Sequence, residues 1–211
     1  LDVIGGSAGL IGSLLAQNTE HALSLAMRAG DHLLERQQPQ GSWLCGRDTK
    51  GLLGFSHGTA GYAAALARLH AATGDERFRK GAEAALAYER GFFQPQHGNW
   101  PDFRDSSKAA DADPSFMVAW CHGAPGIALG RTCLWGTELW DQQCEEEIKI
   151  AIQTTVAQSE PGMDHLCCGG LGLMAVLEAA VGGPWCVEPE TRAMAAQKAG
   201  RYRASVIERC S

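Results

Sequence analysis

Three cysteines in two short segments offer ligands for a metal ion. Cys121 lies just before His122, Cys167 and Cys168 are adjacent, and each segment runs directly into a glycine. Thiolates are favoured ligands of zinc, and a catalytic zinc site has three protein ligands and one open position. Adjacent cysteines suit a shared ion better than a strained mutual disulfide. The three thiols therefore predict a zinc site, for which His122 is a competing ligand.

These residues occupy equivalent places in an internal repeat. A Gly-x-x-Gly step followed by an apolar, Ala- and Leu-rich segment starts at Gly6, Gly58, Gly123 and Gly169. The residues just before these glycines are, in order, Gly5, His57, His122 and Cys168, and one position earlier stand Ile4, Ser56, Cys121 and Cys167. Each apolar segment is typical of the start of a buried helix. If all four helices run the same way, the loops before them meet at one end of the fold.

Amphipathic stretches with helical period separate the repeats, at residues 21–37, 76–93 and 138–158. In the last stretch the glutamates 145–147 are expected on a solvated face. Strand signals are nearly absent, and residues 41–44 and 99–101 are predicted to be loops or short hairpins. The predicted fold class is therefore all-α, an α/α toroid in which inner, glycine-led helices alternate with outer, amphipathic ones.

Composition excludes several classes of protein. Hydrophobic residues make up 45% of the chain and charged residues 20%, as in ordinary globular domains. The formal charge of −6, without any basic stripe, excludes a nucleic-acid binder, and no apolar run is long enough for a membrane span. The opening residues do not look like a signal peptide, so the cysteines are expected to be reduced, in the cytoplasm. Five of them are expected to be small hydrophobic residues: Cys45, Cys133, Cys144, Cys186 and Cys210.

Three segments resemble motifs of the lanthionine synthetase C family, most closely those of the cyclase domain of bifunctional class II lanthipeptide synthetases. They are SHGTAG at 56–61, WCHGAPG at 120–126 and HLCCG at 165–169. Residues 2–9 and 99–102 fit as well, so the resemblance covers nearly the whole chain. The family fold is an α/α toroid of about seven helix pairs. Residues 1–211 are therefore expected to form a single cyclase domain, truncated at both ends.

The resemblance implies a zinc-dependent reaction on a dehydrated precursor peptide. Zn²⁺ would be held by Cys121, Cys167 and Cys168, where many family members have Cys-His in place of the Cys-Cys pair. A cysteine thiol of the peptide adds to dehydroalanine or dehydrobutyrine and gives a lanthionine or methyllanthionine ring. The addition needs a thiolate, which zinc stabilises at neutral pH, and a proton for the enolate. A dehydratase domain, fused or associated, is a further partner that the resemblance suggests.

Candidates for proton transfer follow from the same resemblance. His57 and Asp2 match a conserved histidine and aspartate, and His57 and His122 are candidate general acid and base because imidazole titrates near neutrality. Asp2 is expected to orient a histidine or protonate the enolate, or else to cap a helix. Met117 stands where related cyclases have an arginine, so that arginine's role is not carried over. His165 is expected either to fix the cysteine pair or to be an ordinary loop residue. The other histidines are expected on outer helices or loops, without a catalytic role: His21, His32, His70 and His97.

Three other classes of protein remain open. The first is a related module that binds zinc and a thiol such as glutathione without forming rings, which the synthetase-like motifs at 99–102 and 120–126 disfavour. The second is a glycosidase with the same toroid, which needs paired carboxylates, whereas the repeat loops offer only Asp2 and Asp164. The third is a remnant that keeps the motifs and cannot close the barrel.

Overall fold

Helices make up almost all of the structure, a computed structural model that describes residues 1–44, 50–104, 114–185 and 188–209. The elements within these residues are α1 (Ser7–Leu15), α2 (Glu20–Leu34), α3 (Thr59–Thr73), α4 (Glu76–Arg90), β1 (Pro101–Asp102), β2 (Ser115–Phe116), α5 (Ala124–Thr132), α6 (Gln142–Ala157), α7 (Gly170–Gly182) and α8 (Pro189–Arg209). The strands β1 and β2 pair in antiparallel register to form one short hairpin. The predicted all-α class is confirmed.

The four repeats begin the four inner helices, as predicted. The first glycine of each repeat is the N-terminal cap residue of α1, α3, α5 or α7: Gly6, Gly58, Gly123 and Gly169. A glycine cap has no side chain that could accept a hydrogen bond, so the first N–H groups of these helices need other acceptors. Carbonyl groups of the preceding loop supply them. The N–H of Thr59 donates to Leu52 O and that of Gly170 donates to Met163 O.

The outer helices begin with polar cap residues. The amphipathic pattern does not require these caps, but they explain where the helices start. The side chains of Thr19, Asp75 and Asp141 accept backbone N–H groups in the first turns of α2, α4 and α6. Helices α4 and α6 lie within the predicted stretches 76–93 and 138–158. Helix α2 starts one residue before the stretch 21–37 and ends three residues before its end. The long helix α8 adds a fourth outer helix, which the sequence pattern did not identify.

Each inner helix packs against the outer helix that follows it, which gives the pairs α1–α2, α3–α4, α5–α6 and α7–α8. The inner helices also contact one another in order, α1 with α3, α3 with α5, and α5 with α7. The first and last inner helices, α1 and α7, do not touch. The described chain is therefore an open arc of four helix pairs, with the inner helices on one layer and the outer helices on the other.

The loops before the inner helices meet at one end of this arc, as predicted. They are joined by backbone hydrogen bonds between equivalent or adjacent repeat positions. The N–H of Val3 donates to Ser56 O at 2.8 Å, that of Phe55 donates to Cys121 O at 3.0 Å, and that of Cys121 donates to Cys167 O at 3.3 Å. Residues far apart in sequence are thus held side by side by the backbone itself.

Two expectations about polar residues are wrong. Glu147 is not on the solvated face of α6: it is 5% exposed, because Arg131 on the inner helix α5 binds its carboxylate at 2.6 Å. His70 is not on an outer helix or loop: it lies in the last turn of the inner helix α3 and is buried. Helical period places these side chains on the buried faces, and nearby polar partners make their burial tolerable.

The cysteines outside the cluster agree with a packing role where the structure describes them. Cys144 is fully buried and Cys133 is partly buried, and both are free thiols. Cys45, Cys186 and Cys210 lie outside the described residues. Within the described ranges, each helix is too short or too polar to cross a bilayer.

Candidate metal centre

The thiols of Cys121, Cys167 and Cys168 meet where the third and fourth repeat loops join. Cys121 Sγ lies 3.6 Å from Cys168 Sγ, which lies 3.5 Å from Cys167 Sγ, and the three atoms are all within 4.8 Å of one another. A disulfide would need about 2.05 Å. Thiolates bound to one tetrahedral zinc at about 2.3 Å would be about 3.8 Å apart. The two distances from Cys168 therefore lie within a few tenths of an ångström of the value for a shared zinc ion, and the third pair, Cys121 and Cys167, lies within 4.8 Å.

Exposure differs among the three thiols in a way that suits an accessible site. Cys121 is fully buried, whereas Cys167 and Cys168 are partly exposed. Burial raises the pKa of Cys121, and hydrogen bonds with the two neighbouring thiols raise it further. Burial and the adjacent Cys167 also raise the pKa of Cys168. Without a cation the cluster therefore holds its protons, and a bound cation is what would ionise it.

Gly123 and Asn99 fix the turn that carries Cys121. Gly123 has a φ of +69°, and a Cβ there would lie 1.7 Å from the backbone oxygen of Met117, so only glycine fits. The Asn99 amide donates to that same oxygen at 3.2 Å and accepts the N–H of Ala124 at 2.7 Å. The Asn99 side chain thus joins the end of the β hairpin to the start of α5, which explains the asparagine in the 99–102 motif.

His57 and Asp2 form a pair on the first two repeat loops. The distance from His57 Nδ1 to Asp2 Oδ2 is 3.0 Å, and both side chains are about one third exposed. Burial by itself would raise the pKa of Asp2, but the N–H of Gly5 and the imidazole of His57 hold it below its usual value. An ionised Asp2 accepts the Nδ1–H of His57, which leaves the Nε2 lone pair free to exchange a proton.

His122 lies beside His57, with 6.1 Å between the ring centroids, but in a different state. Its Nδ1–H donates to Leu53 O at 2.8 Å, and its buried Nε2 has no hydrogen-bond partner among the described residues. Burial, and then the charge of Arg104, lower the pKa of His122 to about 4. It is therefore a neutral acceptor at physiological pH, not a group that titrates near neutrality. Neither ring nitrogen joins the three sulfur atoms as a fourth member of their cluster.

Arg104 brings a positive charge to the cluster, which the sequence did not reveal. Asp102 accepts its Nε–H at 2.9 Å and an Nη2–H at 2.6 Å, and Nη2 also contacts Met117 Sδ at 2.8 Å. The pKa of Arg104 is raised first by Asp102, and it is raised further when Cys121 and Cys168 are ionised. Arg104 follows Asp102 by two residues, and no periodic pattern connects it to the cysteines, so only the folded hairpin shows the relation.

The other side chains near the cysteine cluster have structural roles. The Cys168 N–H donates to His165 Nδ1 at 3.2 Å, so His165 supports the backbone of the cysteine pair. Trp100 is fully buried against Phe93, so it is a core residue. Trp120 packs edge-on against Phe55.

The glycosidase alternative needs paired carboxylates, and the described repeat loops offer none. Asp2 is paired with His57, and Asp164 is paired with Arg209.

Known proteins resemble the chain both in sequence pattern and in fold. A family model described as lanthionine synthetase C-like protein matches residues 1–181. Among solved structures, nisin cyclase superposes with a TM-score of 0.64 at 21% identity, over 83% of this chain and 49% of nisin cyclase. A polysaccharide lyase superposes with the same TM-score at 11% identity, over 93% of this chain and 57% of the lyase. No curated protein matches the chain in sequence. At these identities the two structures show a shared fold alone, and this chain spans about half the length of nisin cyclase.

Proposed function

This chain belongs to the lanthionine synthetase C-like family, and we propose that it is a zinc-dependent lanthipeptide cyclase domain. The observation that carries the proposal is the meeting of three thiols, at 3.5 and 3.6 Å, on the loop end that also holds the His57–Asp2 pair. The substrate in this proposal is a dehydrated precursor peptide, and the product is its (methyl)lanthionine ring. Nisin cyclase, whose name denotes ring formation, shares the fold over about half its length.

In this proposal Cys121, Cys167 and Cys168 hold the zinc ion. Their spacing fits the ion, and the raised thiol pKa values of Cys121 and Cys168 are those of a cluster that needs a cation before it can ionise. Zinc would supply the positive charge that keeps a thiol ionised at neutral pH. The partly exposed Cys167 and Cys168 leave one side of the cluster open for the peptide. A reducing, cytoplasmic location would keep these thiols free.

His57 is the proton carrier in the reaction. Sulfur adds to the β-carbon of the dehydroamino acid, and the α-carbon then takes a proton, so nothing leaves and no electrons are lost. Asp2 holds the Nδ1–H of His57, so Nε2 accepts the proton released by the thiol and returns it to the enolate. The imidazole is about one third exposed, which gives the peptide access to it.

Arg104 and His122 shape the electrostatics of this site. The guanidinium of Arg104 is held by Asp102 and lies near the thiols, where it stabilises the negative charge that develops on the enolate oxygen. His122 is neutral and its Nδ1–H is committed to Leu53 O. It therefore serves as a buried acceptor beside His57, and proton donation at neutral pH falls to His57.

Ring closure is tested with a synthetic peptide that contains one dehydroalanine and one cysteine. Because the addition leaves the mass unchanged, closure is read as loss of the mass increment from thiol alkylation. Incubation with the zinc-loaded chain should progressively make the peptide thiol resistant to alkylation, whereas incubation with Cys168→Ala should not. Cys133→Ser, a change at a free thiol outside the cluster, should leave the rate unchanged.

The outcome of this assay separates the cyclase from a thiol-binding relative. A zinc-loaded chain that binds glutathione but leaves the peptide thiol open to alkylation would contradict the cyclase proposal and favour the binding module. Equal closure rates for wild type and Cys168→Ala would show that the cysteine cluster takes no part in the reaction. The peptide incubated without protein at the same pH gives the rate of uncatalysed ring closure.

A further inference from the structure

A second cluster of metal-ligating side chains lies away from the cysteines, at the opposite ends of the inner helices. It comprises His70 in the last turn of α3, Glu76 in the first turn of α4 and Glu138 in the segment between α5 and α6. One ligand atom of each residue lies within 4.8 Å of the other two. The three residues come from two neighbouring helix pairs, so a ligand that binds them joins those pairs.

The imidazole of His70 is already oriented for a ligand. Its side chain is only 6% exposed, and Nδ1 lies 3.1 Å from the backbone oxygen of Asp75. A carbonyl oxygen cannot donate, so Nδ1 carries a hydrogen and donates it. Histidines that bind metals typically have this arrangement, with one ring N–H on a carbonyl group and the other nitrogen free for the ion.

The free nitrogen of His70 faces two carboxylates. Nε2 lies 3.4 Å from Glu138 Oε2 and 3.9 Å from Glu76 Oε1. A neutral imidazole would direct a lone pair at these negative oxygens, so a cation between them, either a proton or a metal ion, would stabilise the arrangement.

Distance favours the ion over the proton. A charge-assisted N–H···O hydrogen bond usually spans about 2.7–2.9 Å, so the 3.4 Å contact with Glu138 is a long hydrogen bond and the 3.9 Å separation from Glu76 lies beyond hydrogen-bond distance. Zinc with bonds of about 2.0–2.1 Å holds its ligand atoms about 3.3–3.4 Å apart, which matches the distance to Glu138. The exposed Glu76 side chain closes the remaining gap by a small rotation, and its other oxygen is held by Arg79 at 2.6 Å.

We propose that His70, Glu76 and Glu138 bind a divalent transition-metal ion, with zinc as the natural occupant, at a site separate from the cysteine centre. Imidazole and carboxylate ligands suit zinc, and three protein ligands leave one position for water. The Glu138 side chain is 74% exposed and that of Glu76 is 55% exposed, so the ion enters directly from solvent. Arg79 reduces the local negative charge, so this site binds more weakly than three thiolates do. Its effect is structural, since the ion links the α3–α4 turn to the segment before α6.

Equilibrium dialysis of the full chain against zinc, followed by metal analysis, tests the site. Wild type should hold two zinc ions per chain, and Glu138→Gln should hold one. Glu138 is exposed, so this variant keeps the fold, which circular dichroism verifies. We expect its affinity for the second ion to fall by at least the roughly 10–100-fold that loss of a supporting group costs at metal sites. His70→Gln should give the same loss.

Cobalt substitution identifies which ion is lost. In Glu138→Gln the thiolate-to-metal charge-transfer absorption should persist, whereas Cys168→Ser should lose it and retain the visible bands of a nitrogen- and oxygen-ligated ion. Two matched controls should keep both ions: Glu146→Gln, an exposed glutamate on α6, and His32→Gln, whose ring nitrogen contacts Ser7 at 2.8 Å. One ion in wild type would contradict the second site, and two in Glu138→Gln would show that Glu138 does not bind the second ion. Either result leaves the cyclase assay unaffected.

Discussion

Removal of the guanidinium of Arg131 should destabilise the fold strongly, because it leaves a carboxylate buried without a cation. Arg131 on α5 and Glu89 on α4 are both fully buried and lie 2.6 Å apart, at ion-pair distance although not at a hydrogen-bond angle. Glu147 would keep the bonds from Arg90 at 3.0 and 3.2 Å. Glu89 would keep one partner among the described residues, the Thr59 hydroxyl at 2.9 Å.

The magnitude follows from this burial. Loss of one partner of a buried ion pair costs about 3–5 kcal/mol, a large part of the roughly 5–15 kcal/mol that stabilises a typical domain. With a urea dependence of about 2–3 kcal/mol per molar, the unfolding midpoint of Arg131→Met should fall by about 1–2.5 M. Thr59 begins α3 two residues after His57, so the loosened contact also reaches the loop end of the fold that holds His57.

Urea unfolding followed by circular dichroism measures this loss against two further variants. Arg203→Met removes an exposed arginine that pairs with Glu178, and should cost less than about 1 kcal/mol. Adding Glu89→Gln to Arg131→Met removes the buried charge but keeps a partner for Thr59, and should restore much of the stability. If Arg131→Met is no less stable than Arg203→Met, the buried network does not stabilise the fold as argued.

Three more predictions concern the residues around the thiols. Asp2→Asn should lower the turnover rate of ring closure by roughly tenfold or more, with little change in KM, because His57, the proposed proton carrier, loses its orienting carboxylate; steady-state kinetics with the synthetic peptide decides this. Arg104→Gln should slow closure while Arg104→Lys restores part of the rate; equal rates in both would show that the charge has no role. His122 has a folded-state pKa of about 4, below its usual 6.5, so the unfolded chain binds more protons between these values. The stability of the metal-free chain should therefore be complete above about pH 6.5 and fall by about 3 kcal/mol as the pH drops to about 4, and His122→Gln should flatten this part of the pH dependence.

The framework of helices and loops could be predicted because it rests on local rules. A Gly-x-x-Gly step before an apolar run marks a helix that packs closely at its start, and the register of the repeats placed Cys121 and Cys167 at equivalent positions. The backbone hydrogen bond from the Cys121 N–H to Cys167 O joins these equivalent positions in the structure. The meeting of the cysteines therefore followed from the pattern itself.

Contacts between side chains of different repeats could not be predicted in the same way. Glu147 has the sequence setting of a surface residue, and only the buried Arg131 on a neighbouring helix makes it a core residue. His70 has the setting of a helix end, and its ring reaches Glu138 through the packing of two helix pairs. The low pKa of His122 likewise comes from burial, which its position beside Cys121 does not reveal.

Metal analysis of the purified chain, beside Cys121→Ala and Cys168→Ala, tests the central claim most directly. We expect zinc in wild type, with thiolate-to-metal charge transfer after cobalt exchange, and loss of that absorption in both variants. Cys144→Ala, a change at a buried cysteine outside the cluster, should retain it. A folded wild-type chain without thiolate-bound metal would contradict the account and leave the three cysteines as packing residues.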